Sequence, residues 1–367
     1  MNLAKRVLDL AIQIQQIPAP TFSEGVRGKF VRELFIQEKL EDVSMDSLGN
    51  VYGRLPGKQK KAKALIVSAH LDTVFPTGTK LQIREEAGRV FAPGIGDNSI
   101  GVAALFGILW AIREQKLTLN HDVWFVANVG EEGLGDLRGM RGVVDRFGDD
   151  VIGYLVLEGL ALGHVYHRAI GVKRYRITAK TRGGHSWSDY GQPSAVHELA
   201  DMITQLTRIR LPREPRTTMN VGVIHGGTGV NVLAAEAKCE LDLRSEDPAL
   251  LARVASQVED IILHWGRDGV KIQAEIIGER PAGEILADHP LVKLAAVCLY
   301  AQGLDAMLTT GSTDANIPLS RNIPAVVMGV TTGNGAHTLN EYIESGPVDI
   351  GMESLVRFVE LAGRLEY

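Results

Sequence analysis

The chain is poor in cysteine and carries no excess of positive charge. Its two cysteines, Cys239 and Cys298, lie far apart and in no metal-type spacing. A disulfide framework is thereby excluded, and a reducing cytoplasm is the expected compartment. A net charge of −5 supplies no basic field, so no nucleic-acid partner is expected. Long apolar runs are also missing. The most apolar stretch, "SIGVAALFGILWAI" at 99–112, is short for a bilayer span and reads as a buried helix. The opening "MNLAKRVLDLAIQIQQIPAP" is amphipathic up to its first proline and lacks the unbroken apolar core of a signal peptide. With no lipidation motif, internal repeat or low-complexity tract, no membrane partner is expected. Nucleotide binding has little support: "GIGDNSIG" lacks the third glycine of a dinucleotide fingerprint, and no Walker lysine motif occurs.

What is present is the balance of an ordinary globular protein, 45% hydrophobic and 23% charged over 367 residues, enough for one large domain or two. Up to about residue 170, helices alternate with short apolar runs at 65–69, 122–129 and 151–157. That pattern predicts an α/β sheet covered on both faces. Thr21 and Glu24 stand at capping-box spacing before the helix "GVRGKFVRELFIQ". From 171 the pattern changes to βαββαβ, the ferredoxin-like order. After "GERPAG" the first pattern resumes. The expectation is a three-layer α/β/α domain made of 1–170 and 282–367, with a ferredoxin-like α+β domain, 171–281, inserted into it.

Chemistry gathers where the apolar runs end. In open α/β sheets, sites form beyond the carboxyl ends of the strands. "LIVSA" is followed by His70 and Asp72, "DVWFVANV" by Glu131 and Glu132, and "VIGYLVL" by Glu158. "IPAVVMGV" leads through a glycine-rich loop to His337, and Asp97 precedes the apolar helix. With 44 acidic residues and 10 histidines, single coincidences are common; it is the convergence at one sheet edge that carries weight. Each residue alone has an ordinary reading. His70 reads as a hydrogen-bonded core histidine, Asp97 as a helix cap, His337 and His185 as loop residues, and the Glu131–Glu132 pair as a solvated loop. Together they read otherwise. Asp72 is spaced to orient a metal-bound His70. Glu158, ending a very apolar strand, needs a compensating charge. Of the adjacent glutamates, one would hold a metal while the other handles a proton. Histidine and carboxylate without cysteine suit zinc, cobalt or manganese, and more than four ligands suggest two metals sharing a bridge.

The motifs "AHLDTV", "GIGDNSIG", "GEEGLGD", "LVLEG", "RGGHS", "GGTGVNVLAAEAKCELDLR", "GSTDAN" and "GAHTLNEYI" resemble, in order and spacing, the dizinc metallopeptidases. That family includes carboxypeptidase G, peptidase T, aminoacylase, acetylornithine deacetylase and succinyl-diaminopimelate desuccinylase. The resemblance spans nearly the whole chain. It implies two zinc ions per subunit, one held by His70, Asp97 and Glu158 and the other by Glu132, His337 and the shared Asp97. It implies that Asp72 orients His70 and that Glu131 is the general base for a water between the metals. The Asp97–Asn98 bond matches a cis peptide of the family. His185 matches a residue that reaches the partner subunit's active site, which implies a homodimer through the inserted lid and dimerisation domain. Asn231 and Arg244 match residues that bind a substrate carboxylate, and Gly311 matches a loop lining the cleft. Glu158 is similar to the carboxypeptidase and deacylase branches, whereas "GEEGLGDLRG" is closer to the peptide-cleaving members. The implied activity is that of an exopeptidase on small peptides or N-acyl amino acids. The alternatives are an N-acyl-amino-acid deacylase or desuccinylase and, more remotely, a non-catalytic peptide-binding dimer.

Overall fold

A strand buried on both faces is expected to be mostly apolar, and the run at 65–69 is, with Ser68 its one polar residue. In the computed structural model, which describes residues 2–59 and 62–365, Leu65, Val67 and Ala69 enter one buried cluster and Ile66 the opposite one. Leu65, Ile66 and Val67 each contribute about 1.5–3 kcal/mol by leaving water. The chain divides into two compact units, Met1–Ala169 with Gly283–Tyr367, and Ile170–Ala282.

The first unit begins with α1 (Leu3–Gln15), α2 (Gly25–Gln37), β1 (Glu41–Met45), β2 (Val51–Leu55) and β3 (Ala64–His70). A small hairpin, β4 (Arg84–Glu86) and β5 (Arg89–Phe91), precedes a wide turn at Ile95–Ser99 and α3 (Ile100–Glu114). Next come β6 (Val123–Asn128), α4 (Arg138–Phe147), β7 (Val151–Glu158) and β8 (His164–Ala169). The second unit holds β9 (Gly171–Lys180), β10 (Gly184–His185), α5 (Ala195–Leu206), β11 (Thr217–Gly226), β12 (Val232–Leu233), β13 (Glu236–Ser245), α6 (Pro248–Leu263) and β14 (Lys271–Arg280). The first unit resumes with β15 (Gly283–Glu284), α7 (Pro290–Tyr300), β16 (Met307–Gly311), α8 (Asn316–Ser320) and β17 (Ala325–Gly329). It closes with β18 (Gly333–Asn334), β19 (Tyr342–Glu344) and α9 (Val348–Ala362).

The first unit is built on a nine-stranded mixed sheet, ordered β1-β2-β6-β3-β7-β17-β8-β15, with β16 also paired to β8. Its four central strands, β6, β3, β7 and β17, run parallel. Their carboxyl ends therefore share one edge. One face is covered by α1, α2, α3, α7 and α9, the other by α4 and α8. Gly283 pairs directly with Ala169, so the two ends of the interruption lie side by side. Counted with the turn before it, α3 makes a 20-residue stretch, Ile95–Glu114, long and apolar enough to cross a membrane, but its backbone is not helical at Asp97 and Asn98, and 89% of its apolar window is buried within the fold.

The second unit is a four-stranded antiparallel sheet, ordered β11-β13-β9-β14. Period-two alternation sends Tyr175, Ile177 and Ala179 of β9 and Cys239, Leu241 and Leu243 of β13 into one core, which also takes in Leu199 and Met202 of α5 and Val254 and Val258 of α6. The intervening residues make charged cross-strand pairs, Arg174 with Asp242 and Arg176 with Glu240, and Arg244 joins Asp242 from two residues along the same strand. α6 starts on Asp247, whose carboxylate accepts the Leu250 N–H at 2.6 Å, with Pro248 at its first position.

His121, just before β6, is 1% exposed, and neither ring nitrogen makes a hydrogen bond of normal geometry. A Cβ at Gly363 would lie 2.1 Å from its Nδ1, so the end of α9 crosses the ring at a bare glycine. Burial pushes this imidazole down to about 4, against smaller opposing pulls from the Val359 backbone and Asp122. The folded state thus prefers the neutral ring, while the unfolded chain protonates near 6.5. The stability this lends is present above about pH 6.5 and is lost as the pH falls toward 4. Urea unfolding at pH 7.5 and pH 5 should show the parent losing about 2 kcal/mol more than a His121→Gln variant over that interval. Parallel losses in the two proteins would remove His121 from the account.

Candidate metal centre

β3 delivers His70 to the sheet edge almost fully buried, at 1% exposure. Its Nδ1 lies 3.1 Å from the Asp72 backbone carbonyl, to which it can only donate. In the neutral ring this leaves the lone pair on Nε2, the nitrogen that faces the cluster. Nε2 is 3.0 Å from Asp97 Oδ1 and 3.8 Å from Glu158 Oε2. His337 comes from the turn between β18 and β19 with φ 66°, and its Nε2 is 3.0 Å from both Asp97 Oδ2 and Glu132 Oε1. Asp97 therefore turns one oxygen to each imidazole. Three groups of possible ligand atoms result, each within 4.8 Å: His70, Asp97 and Glu158; Asp97, Glu132 and His337; and His70, Glu131 and Glu132. The six residues converge in one place. Distance alone does not separate the roles of Glu131 and Glu132, but only Glu132 also joins the His337 group.

The electrostatics call for a cation. Among the described residues, the ion-pair partners of Asp97, Glu132 and Glu158 are His70 and His337, with no lysine or arginine. Burial raises the pKa of Glu158 and Glu132, partly offset by the histidines. At Asp97 the two histidines overcome the effect of burial and hold its carboxyl well below the usual range. Asp97 and Glu132 in turn raise His337 to about 10. At His70 burial opposes the charge, but Asp72, Asp97 and Glu158 outweigh it. Divalent ions would supply that positive charge without imidazolium protons, and the donor set of two imidazoles with carboxylates fits them.

The neighbours of these residues are clamped from a distance. Asp72 faces His70 Nδ1 and also holds the neighbouring loop. Its carboxylate is 3.6 Å from His70 Nδ1, and it accepts from the backbone of Glu131 at 3.0 Å, the backbone of Glu132 at 2.9 Å and the Thr21 hydroxyl at 3.0 Å. Thr21 and Glu24 consequently form no capping box; α2 has no side-chain cap. Glu24 is buried, accepts the Gly130 N–H at 3.1 Å and takes both its oxygens to Arg138. Asp97 does not cap α3 through its side chain; the Asp97–Asn98 bond is cis. Asn98 donates to Leu157 O at 2.8 Å and accepts Gly159 N–H at 3.1 Å, gripping both neighbours of Glu158. Asp314 is fully buried, receives Asn128 Nδ2 at 2.6 Å, and is pushed up to about 7 by burial. Sequence reasoning assigned no role to Asn98, Asp314 or Glu341, although all three stand inside the quoted motifs.

In the second unit, His185 lies on a short ribbon, β10 with β12, pairing with Val232. It is exposed; its Nδ1 accepts the Trp187 N–H at 3.2 Å. Asn231 is beside it, its carbonyl accepting the Ser186 N–H at 3.0 Å. Arg244 is not brought to them. It lies eight residues along β13 from Glu236, roughly 26 Å in an extended strand, with Nε on Asp242 at 2.7 Å. In the first unit, Gly311 ends β16 opposite Ala169, where a Cβ would lie 2.7 Å from the Tyr166 ring.

Residues 66–361 match the model of peptidase family M20/M25/M40. A peptidase M20 domain-containing protein of Schizosaccharomyces pombe is 28% identical over 319 residues, 84% of this chain and 72% of that one. The crystal structure of a Staphylococcus aureus tripeptidase superposes with a TM-score of 0.84 at 23% identity, covering 99% of both chains. Aminopeptidase PepT from Bacillus cereus gives 0.80 at 20% identity, covering 98% of both. The chain belongs to peptidase family M20/M25/M40 and is an enzyme of its peptidase and amidohydrolase class.

Proposed function

We propose that the chain is a dinuclear-metal exopeptidase that hydrolyses the amide bond of small peptides or N-acyl amino acids bearing a free carboxylate. The observation that carries this reading is Asp97, with Oδ1 3.0 Å from His70 and Oδ2 3.0 Å from His337. One carboxylate shared between two imidazole-containing groups is the donor pattern of a bridged metal pair. We assign His70, Asp97 and Glu158 to one ion and Asp97, Glu132 and His337 to the other. Zn2+ suits these donors, with Co2+ or Mn2+ as substitutes. When bound, the ions supply Lewis acidity, polarising a carbonyl and lowering the pKa of water from ~15.7 toward about 7.

Glu131 is the general base in this reading. It is buried beside His70 and Glu132, and its amide is fixed on Asp72. It takes a proton from the attacking water as the C–O bond forms and returns it to the amide nitrogen as the C–N bond breaks. His185 of a partner subunit would donate to the oxyanion. Because its Nδ1 accepts the Trp187 N–H, the neutral ring carries its proton on Nε2. Such a donor is worth roughly 3 kcal/mol. Asn231 and Arg244 would bind the substrate carboxylate, and Gly311 would line the cleft. Asn231 and Arg244 are far apart within one chain, so a shared ligand requires two copies. That favours a homodimer through the inserted lid and dimerisation unit. The ten-residue β11 supports it, having one strand partner among the described residues and leaving Val223 and Ile224 exposed. The two free, buried cysteines suit a cytoplasmic location.

Glu131→Gln should lower kcat about 100- to 10,000-fold while the metal content, measured by atomic emission, stays at two ions per chain. Undiminished turnover would end Glu131's role. Turnover of a panel of di- and tripeptides against N-acetyl and N-succinyl amino acids decides the substrate class. Hydrolysis of the acylated amino acids alone would make the enzyme a deacylase or desuccinylase. Sedimentation is expected to show a dimer whose dilution costs activity; a fully active monomer contradicts a role for His185 across subunits.

A further inference from the structure

We propose that Glu341 is a positioning residue that sets the shared Asp97 in register with His337. The proposal rests on the reading of those two residues as metal ligands. Glu341 is fully buried. Its Oε2 accepts the Gly94 N–H at 2.9 Å, and its Oε1 accepts the N–H groups of Gly96 at 2.7 Å and Asp97 at 2.8 Å. Both oxygens accept, as those of an ionised carboxylate do; burial pushes the pKa of Glu341 up to about 7, and the three amides pull against that rise. Closely spaced backbone N–H groups form a concave anion nest, and here the anion comes from the chain itself. The nest exists because Gly94 takes φ 74°, a conformation open to glycine, and because Gly96 is bare. A Cβ at Gly96 would lie 3.1 Å from Glu341 Oε1 and 2.6 Å from Leu160.

The main chain of Glu341 ties the nest to the other ligand. Its N–H donates to the Thr338 carbonyl at 3.2 Å, in the turn that follows His337, and its carbonyl accepts the Ala92 N–H at 3.0 Å. Directly beyond it, β19 pairs with β5, Ile343 opposite Val90. One residue thus fastens the loop that ends at Asp97 to the loop that presents His337. Those side chains meet at 3.0 Å. Charge-assisted bonds to three amides resist displacement of Asp97 better than neutral ones do. A glutamine would offer one oxygen and turn an NH2 group against N–H donors.

The test measures Zn2+ affinity by competition with a chromogenic chelator for the parent, Glu341→Gln and Glu341→Asp, with circular dichroism as the check of folding. The parent should take up two ions per chain. Folded Glu341→Gln should bind them about 10- to 100-fold more weakly, the usual consequence of losing a group that orients a ligand. Glu341→Asp, charged but one methylene short, should fall between the two. If folded Glu341→Gln holds both ions as tightly as the parent, Glu341 is only a structural strap and the assignment fails. Should Glu341→Gln not fold, Glu341→Asp decides on the same criterion, parent-like affinity overturning the proposal. A parent that binds no Zn2+ overturns the metal reading itself, and this proposal with it.

Discussion

Four carboxylates, those of Asp97, Glu131, Glu132 and Glu158, meet at one edge of one sheet, and their mutual repulsion is the constraint on which the rest of the molecule depends. In water such a group would drift apart. Here it is forced together by four parallel strands that end side by side. The strands are held by an apolar core that covers both faces of the sheet. The core therefore supplies the free energy that keeps like charges close, and two imidazoles supply the first positive compensation.

The same principle explains how each acidic residue is aimed. Long side chains are poor at holding a position, so the fold grips the peptide groups beside them. Asp72 fixes the amides of Glu131 and Glu132, Asn98 holds the residues on either side of Glu158, and Glu341 cradles the amide of Asp97. Each clamp comes from a different segment of the chain. The centre is in this sense a knot of loops tied by backbone hydrogen bonds, with the ligand side chains projecting from it.

Much of the centre was legible in the sequence, because a buried strand leaves an unmistakable apolar run and the residue at its end is thereby located. His70 and Glu158 follow directly. The clamps were not legible. Thr21 and Glu24 have the local spacing of a capping box, yet distant partners, Asp72 and Arg138, capture both side chains. Asn98 and Glu341 act on backbone groups at least 59 residues away in the chain, which no local pattern reveals. The distance between Asn231 and Arg244 depends on strand register in the second unit. The central helix, α3, starts one residue after Ser99, and the turn before it, Ile95–Ser99, departs from helical geometry at Asp97 and Asn98.

The pairing of Ala169 with Gly283 has a consequence for the chain's history and for its engineering. Residues directly opposite on antiparallel strands are about 5 Å apart, a gap that a tight two-residue hairpin spans. Everything from Ile170 to Ala282 is therefore a cassette spliced between two adjacent points of an otherwise continuous scaffold. Such an insert is gained, lost or exchanged without rethreading the host sheet, and a family built this way is free to diversify its cassette while its catalytic chassis stays the same.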